Sequence, residues 1–180
     1  MRKLNKKITD PQVIVHLLKT CHTGRLGTVG RDGRPMVKPL NFAYNEGRIY
    51  FHCAKEGEKL DDIRGDNRVC FEVDLPVAYV KGTMENPCRA EYLYRSVIAR
   101  GRAIIVEDRA ERLLALDALM SKYQPEGGYG SYPEEKLALT CIVRIDIEEL
   151  SGKEDLGKQE LRDTALHKLN DGFILPITID

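Results

Sequence analysis

The chain has 180 residues, with 28 lysines plus arginines and 28 aspartates plus glutamates. This length suits one domain with a single sizeable core, and the zero net charge gives no overall field that attracts nucleic acid or an anionic membrane. No apolar stretch approaches the roughly 20 residues that span a bilayer. The basic start MRKLNKK is expected to be a solvated tail. It is not expected to be a signal peptide, because no apolar run follows it.

Five cysteines are widely spread, an odd number with no CxxC pair: Cys21, Cys53, Cys70, Cys88 and Cys141. This spacing argues against a disulfide framework and against a zinc site, and no HExxH or comparable ligand spacing occurs. We therefore expect no metal, a reducing cytoplasmic location, and cysteines that act as small buried hydrophobes.

The first third of the chain predicts one helix followed by short strands. An Asp–Pro pair and an apolar stripe at helical spacing predict a helix from Asp10 to Thr20. The turn signals RDGR (31–34) and NEG (45–47) then separate strands predicted at 24–29, 35–44 and 48–53.

The rest of the chain predicts longer strands and two further helices. After a short helix at 58–64, a strand is predicted at 68–75, with a further piece at 77–81. The longest strand candidate runs from 94 to 106, with Gly101 as a bend or bulge. Asp108 and Glu111 resemble a capping box at the start of a helix that ends at 123. A loop at 124–133, a strand at 139–147 and a helix near 158–169 complete the prediction.

This order of elements predicts a mainly β fold of the α+β class. Six or so short strands joined by turns, with helices between them, favour a closed antiparallel barrel over an alternating βαβ sheet. We expect one domain over residues 1–154 and a peripheral C-terminal extension over residues 155–180.

The usual nucleotide-binding and hydrolase motifs do not occur. The sequence contains no GxGxxG after a strand, no GxxxxGK[ST] and no GxSxG. His52 and Cys53 are neighbours in a predicted strand, so their side chains point to opposite faces and cannot act as a nucleophile–base pair.

The segment from Pro35 to Lys59 carries the clearest chemical signal. It predicts a hairpin followed by a helix start, where free N–H groups and Lys59 can hold a phosphate while the hairpin backbone meets a planar ring. A planar ring joined to a phosphate describes flavin mononucleotide (FMN). Pro39 lacks an N–H, which favours an edge where Leu40 and Asn41 offer backbone groups to a ring. An edge strand without a ligand and a surface lysine remain alternatives.

Three segments resemble one known family when taken together: VKPLNFAYNEGRIYFHCAKEGEKLDDIRGDNRVCFEVD (37–74), YRSVIARGRA (94–103) and VRIDIEELSGKE (143–154). They resemble the FMN-binding split-barrel superfamily of pyridoxamine 5′-phosphate oxidase relatives, and within it the nitroimidazole-resistance branch. The resemblance covers about residues 10–154. It implies a six-stranded antiparallel Greek-key split barrel with flanking helices, and a homodimer that holds flavin at the subunit interface.

The resemblance also implies which residues contact the flavin, and it gives His52 a role in activity beside the ring. The implied ring contacts are Pro39, Leu40, Asn41, His52, Cys53 and Ala54, and the implied phosphate and pocket contacts are Lys59, Leu60, Arg95, Ser96 and Val97. Arg95 and Ser96 offer a guanidinium and a hydroxyl that suit phosphate oxygens, although both can also be surface residues of a strand.

The chain departs from the oxidase pattern at the phosphate end. It has Gly57-Glu58-Lys59 where the oxidase has a Ser-Arg-Lys cluster, and Glu58 would repel a phosphate, so Arg95 must contribute more. The absence of tryptophan argues against pyridoxamine phosphate as the substrate. Because some relatives bind FAD, FAD remains an alternative to FMN.

The sequence hypothesis is therefore a flavin-dependent oxidoreductase. It would pass electrons from a reduced donor to a small acceptor such as a nitroimidazole or another nitroaromatic. His52 would donate a proton to the acceptor or orient it, since an imidazole can take either protonation state near neutrality. The alternatives are a flavin-binding protein without turnover, acting as a carrier or redox sensor, and a haem-binding split-barrel relative.

Overall fold

A computed structural model describes residues 4–170 and 177–179 of the chain. Eight strands are found there: β1 (Thr23–Val29), β2 (Pro35–Asn41), β3 (Ala43–Asn45), β4 (Arg48–Ala54), β5 (Arg68–Val80), β6 (Glu91–Val106), β7 (Thr140–Asp155) and β8 (Ile177–Ile179). The α-helices are α1 (Pro11–Thr20), α2 (Glu58–Gly65), α3 (Arg109–Tyr123), α4 (Glu134–Leu139) and α5 (Gln159–Asn170). No helix in these described ranges is long and apolar enough to cross a membrane.

The prediction of a mainly β, α+β fold is confirmed, but the predicted strand count is wrong. The sheet runs in the order β2-β1-β5-β6-β7-β4-β3, which is seven strands and not six, and β8 pairs with β5 in parallel. The difference arises because the strand predicted at 35–44 is divided at Phe42, whereas the pieces predicted at 68–75 and 77–81 form one strand.

The predicted closure of the barrel is also wrong. The sheet path begins at β2 and ends at β3, and among the described residues no hydrogen-bonded pairing joins these two strands. They are instead consecutive in the chain, with only Phe42 between them. The two ends of the sheet are therefore linked covalently at Phe42 and not by a strand ladder.

The chain divides into two compact units. The larger unit consists of Leu18–Val73 and Ile98–Leu150, and the smaller unit consists of Met1–Leu17, Asp74–Val97 and Ser151–Asp180. The strands β5, β6 and β7 each contribute residues to both units.

Two turns in the larger unit confirm the sequence signals. Gly33 has φ of +80° in the RDGR turn, and its N–H donates to the Gly30 carbonyl at 2.8 Å. Glu46 and Gly47 have φ of +47° and +82° in the turn that joins β3 to β4. Positive φ at both central residues matches the twist of a tight hairpin, so these residues set the register locally.

Close packing in the larger unit requires glycine at Gly101. A Cβ there would lie 2.0 Å from the carbonyl oxygen of Asp146 on β7. The sequence analysis predicted a bend or bulge at this glycine, but β6 continues through it. The close approach of the β7 backbone explains why glycine is needed here.

Helix α3 is held against β4 and β7 by a partly buried charge network. The Arg144 Nη1 atom lies 2.9 and 3.0 Å from the two carboxylate oxygens of Glu111, and the hydroxyl of Tyr50 donates to Glu111 at 3.0 Å. The hydrogen bond from Arg144 is the largest influence that lowers the pKa of Glu111 below its usual value. The helix itself begins as predicted, because the Asp108 side chain accepts the N–H of Glu111 at 2.8 Å.

The C-terminal end of α3 supports the chain at Phe42, which is fully buried. The Phe42 N–H donates to the Tyr123 hydroxyl at 3.0 Å, and that hydroxyl lies 3.1 Å from the Phe42 carbonyl oxygen. The Lys122 ammonium lies 3.5 Å from the centre of the Phe42 ring, and burial lowers the pKa of Lys122 to about 8. One helix end thus supplies an acceptor for the Phe42 N–H, while the single hydroxyl proton of Tyr123 is shared between the carbonyl oxygens of Phe42 and His22.

The smaller unit has its own apolar cluster, formed by Val77, Ala78, Leu93, Leu156 and Ala165. The Ile8 N–H donates to the Gly152 carbonyl at 3.0 Å, which attaches the N-terminal segment to the end of β7. Residues 1–3 of the basic tail, and residues 171–176 and 180 of the predicted extension, lie outside the described residues.

Changing Tyr123 to Phe tests the role of its hydroxyl at Phe42. Loss of the hydroxyl leaves a buried backbone N–H without its partner, so we expect the free energy of unfolding to fall by about 1–3 kcal/mol. Urea unfolding monitored by circular dichroism measures this change. The matched control is Tyr129→Phe in an exposed loop, and an equal effect of both substitutions would contradict the assignment.

Candidate functional site

The larger unit contains three segments that the sequence analysis assigned to a ligand. They are the β2 residues Pro39 to Asn41, the end of β4 from His52 to Ala54, and the first turn of α2 with Lys59 and Leu60. Their side chains do not all face the same way, because alternate residues of a strand point to opposite faces.

On β2 the alternation is regular. Val37, Pro39 and Asn41 are exposed, whereas Lys38 and Leu40 are partly buried on the other face. On β4, His52 and Ala54 are exposed and Cys53 is partly buried. The exposed face therefore presents Pro39 and Asn41 from β2, and His52 lies on the exposed face of β4.

The first turn of α2 is open to an anion. Its N-cap is Gly57, with φ of +127°, and no side chain within the described residues caps the helix. A Cβ at Gly57 would meet no atom within 4 Å, so there is free space around this backbone. Unpaired N–H groups at a helix start carry partial positive charge and favour a bound anion.

Lys59 projects from this turn toward β4. Its ammonium lies 5.2 Å from the centre of the Phe51 ring, and the side chain is partly buried. Leu60 points into the core and is 1% exposed, and its N–H donates to the Gly57 carbonyl at 2.9 Å. Lys59 thus offers a charge at the helix start, while Leu60 offers packing.

A second cation, Lys38, lies beside the same turn, and the sequence analysis did not identify it. Its ammonium nitrogen is buried, 2.8 Å from a carboxylate oxygen of Glu58 and 3.8 Å from one of Asp62. Neither contact has the geometry of a hydrogen bond. Lys38 therefore offsets the negative charge of Glu58, the residue that was expected to repel a phosphate.

Asp62 helps to hold this arrangement. Its carboxylate is 3% exposed and accepts a hydrogen bond from the Thr28 hydroxyl at 2.7 Å. The alternation of β2 was the sequence signal that could have identified Lys38 as a buried residue. It puts Lys38 on the same face as the half-buried Met36 and Leu40. A lysine on an inward face calls for partners of opposite charge.

Arg95, Ser96 and Val97 belong to the smaller unit, whereas the other predicted site residues belong to the larger unit. The Arg95 Nε atom donates to Glu154 at 3.0 Å, and Glu154 also pairs with Arg162 at 2.7 Å. Val97 is buried. A phosphate on Arg95 would have to compete with Glu154, so the predicted role of Arg95 stays a prediction.

The larger unit contains a mostly apolar cavity of about 650 Å³, and none of the predicted flavin contacts lines it. Val37 on β2 contributes to it and is 64% exposed. The rim carries the ion pairs Arg25–Glu72 and Arg100–Glu149. Among the described residues, no group of three or more acidic, histidine or cysteine side chains is arranged to hold a metal ion.

Comparison of the sequence with known families identifies the family of this chain. The profile described as pyridoxamine 5′-phosphate oxidase matches residues 10–154, which is most of the chain. The chain belongs to this family. No curated protein matches the chain in sequence at a significant level.

Solved structures agree with membership of the pyridoxamine 5′-phosphate oxidase family. A proposed 5-nitroimidazole antibiotic resistance protein from Bacteroides thetaiotaomicron is 25% identical, with a TM-score of 0.71 over 82% of this chain and 86% of that one. An FAD-binding protein from Mesorhizobium loti is also 25% identical, with a TM-score of 0.60 over 83% and 97%. An FAD- and haem-binding protein from Mycobacterium smegmatis shares the fold at 21% identity, with a TM-score of 0.72 over 94% and 81%.

Proposed function

We propose that this family member is a flavin-dependent oxidoreductase that reduces a small acceptor such as a nitroimidazole or another nitroaromatic. FMN is the proposed cofactor, with FAD as the alternative. Support comes from the family match and from two relatives of 25% identity, one named as FAD-binding and one as a proposed nitroimidazole resistance protein.

The observation that carries the proposal is the charge arrangement at the start of α2. An open glycine cap and the partly buried Lys59 meet at one helix end. These are the groups that a flavin phosphate requires: free N–H donors, a cation and space. Lys38 lies 2.8 Å from Glu58 and reduces the repulsion between Glu58 and a phosphate near Lys59. The residues present therefore fit the phosphate end of a flavin.

The ring would lie along the exposed faces of β2 and β4. Pro39 and Asn41 present their side chains there, and the backbone of Leu40 between them can contact a ring edge. His52, Cys53 and Ala54 would border the ring from β4. The contacts that the resemblance gives to Arg95, Ser96 and Val97 stay predictions, and Arg95 would have to release Glu154 before it could bind a phosphate oxygen.

His52 is the proposed catalytic residue. When bound, the flavin supplies the electron transfer that no protein side chain here provides. The exposed imidazole of His52 would orient the acceptor and donate a proton to it as it is reduced. Residues of β2 would position the acceptor beside the flavin ring and limit the access of water.

We further propose that the flavin lies at the interface of a homodimer. The apolar cavity around Val37 gives a second copy of the chain a surface to cover, and its rim of paired arginines and glutamates suits a self-complementary contact. Because Val37 shares the exposed face of β2 with Pro39 and Asn41, this surface continues into the proposed ring site.

The domain boundary and the location are also proposals. Residues 1–154 would form the flavin-binding domain and residues 155–180 a peripheral extension, which agrees with a family match that ends at residue 154. All five cysteines are free thiols, which supports a reducing, cytoplasmic setting.

Removal of the Lys59 charge tests the phosphate site. Lys59→Met is expected to weaken FMN binding about 10- to 100-fold, because charge-assisted hydrogen bonds contribute about 1.5–3 kcal/mol. Riboflavin lacks the phosphate, so its affinity should stay within about twofold. Fluorescence titration of both flavins measures the difference.

The control is Lys136→Met, which removes the same charge from the exposed helix α4. Unchanged FMN affinity in Lys59→Met would refute the phosphate site. An equal loss for both flavins would instead show that the substitution deforms the pocket.

His52→Gln tests the proposed chemistry. The variant should keep bound flavin, which its absorbance spectrum shows. The rate of nitroaromatic reduction should fall at least about tenfold, because general acid catalysis typically contributes about 100-fold or more. Equal turnover would remove His52 from the mechanism. A wild-type protein that binds flavin but never passes electrons from NAD(P)H to an acceptor would favour the carrier or sensor alternative.

Val37→Asp tests the dimer. A charge in the middle of an apolar interface should shift the protein toward monomer in analytical ultracentrifugation and weaken flavin binding in parallel. The control is Leu139→Asp, since Leu139 is 69% exposed on α4 and Val37 is 64% exposed on β2. A monomeric wild-type protein that still binds flavin would contradict the interface.

A further inference from the structure

Cys53 and Cys141 face each other across two paired strands. In the antiparallel ladder of β4 and β7, Cys53 is the direct partner of Cys141, one position along from the pair His52 and Ile142. Both cysteines are free thiols, with Cys53 partly buried and Cys141 buried. The two residues are distant in the sequence, so only the pairing of the strands brings them together.

The two thiols interact directly. Burial is the main cause that raises the pKa of Cys53 to about 11, and the neighbouring Cys141 raises it further by charge repulsion and a hydrogen bond. The positive charges of Lys59 and Arg64 oppose this shift. The strand pairing thus places a Cys53 thiol that is protonated at physiological pH opposite the Cys141 side chain.

The ladder geometry is compatible with a disulfide. Opposed residues of an antiparallel pair have Cα atoms about 4.5 or 5.5 Å apart, and both values fall within the range of about 4.4–6.8 Å found for disulfides. Their Cβ atoms are about 4.5–5.5 Å apart, against about 3.5–4.5 Å in a disulfide, so closure needs only a small inward movement.

We propose that Cys53 and Cys141 form a reversible dithiol–disulfide site that is oxidised by small-molecule disulfides such as glutathione disulfide. The proposal does not depend on a bound flavin.

The reaction balances in two exchange steps. The Cys53 thiolate attacks glutathione disulfide, which forms a mixed disulfide on Cys53 and releases one glutathione that takes up a proton. The Cys141 sulfur then attacks the Cys53 sulfur, so the protein disulfide forms and the second glutathione leaves with the other proton. The two protein thiols lose two electrons and two protons, and the glutathione disulfide gains them.

Oxidation would tie the end of β4, which leads into the Gly57 loop and α2, to the first residues of β7. A cross-link of this kind restricts the unfolded chain and the local opening of both strands. The oxidised protein is therefore expected to melt about 5–10 °C higher than the reduced protein.

The experiment uses the full chain with its two exposed cysteines removed, Cys70→Ser and Cys88→Ser, to prevent links between molecules. The native protein is equilibrated with glutathione buffers of rising oxidised fraction at mildly alkaline pH, which offsets the high pKa of Cys53. After alkylation of the remaining thiols and digestion with trypsin, mass spectrometry should find IYFHCAK (49–55) linked to LALTCIVR (137–144), with the loss of two hydrogens.

The matched control, Cys21→Ala in the same background, should still form this link, because Cys21 is buried elsewhere in the larger unit. Cys141→Ala should accumulate the mixed disulfide on Cys53. Free thiols in the most oxidising buffer, a mixed disulfide that persists with Cys141 present, or a link that forms only in denaturant would each overturn the proposal.

Discussion

The backbone at Phe42 leaves one strand and enters the next, and the hydroxyl of Tyr123 meets the polar groups that this change frees from the sheet. In the part of the chain that the structure describes, the two ends of the sheet path, β2 and β3, are joined at this residue and by no strand ladder. Because β2 carries Pro39 to Asn41 and β3 leads directly into β4 with His52, this junction connects the two candidate ring-binding segments along the chain. Buried backbone groups that lose a hydrogen-bond partner in the sheet need another partner, and Tyr123 of α3 provides one.

The charge arrangement at α2 depends on a similar compensation. A buried lysine is costly unless carboxylates face it, and Lys38 has Glu58 and Asp62 on either side. Asp62 is fixed in turn by the Thr28 hydroxyl. The Lys38 ammonium is therefore buried against these two carboxylates and is compensated by them. Glu58 is unfavourable for phosphate binding when judged from the sequence alone. In the structure it lies beside the positive charge of Lys38, twenty positions earlier in the chain.

The end of β4 shows how one short strand can serve two kinds of chemistry. His52 points outward, where an acceptor and a flavin ring are proposed to lie, and Cys53 points inward toward Cys141 on β7. The alternation of a strand keeps these groups from acting as one dyad. The proposed proton transfer and the proposed thiol exchange therefore use opposite faces of the same strand, next to the same helix start.

Local signals in the sequence were sufficient for the turns at RDGR and NEG, the start of α3 at Asp108 and the mainly β class, because turn and cap geometry depends on residues within a few positions. The three motifs also identified the family. The division of the strand at Phe42, the extra strand β8, the burial of Lys38 and the pairing of Cys53 with Cys141 were decided by tertiary structure. Each depends on which strand or helix packs alongside, and contacts between distant segments leave no periodic pattern in a single sequence.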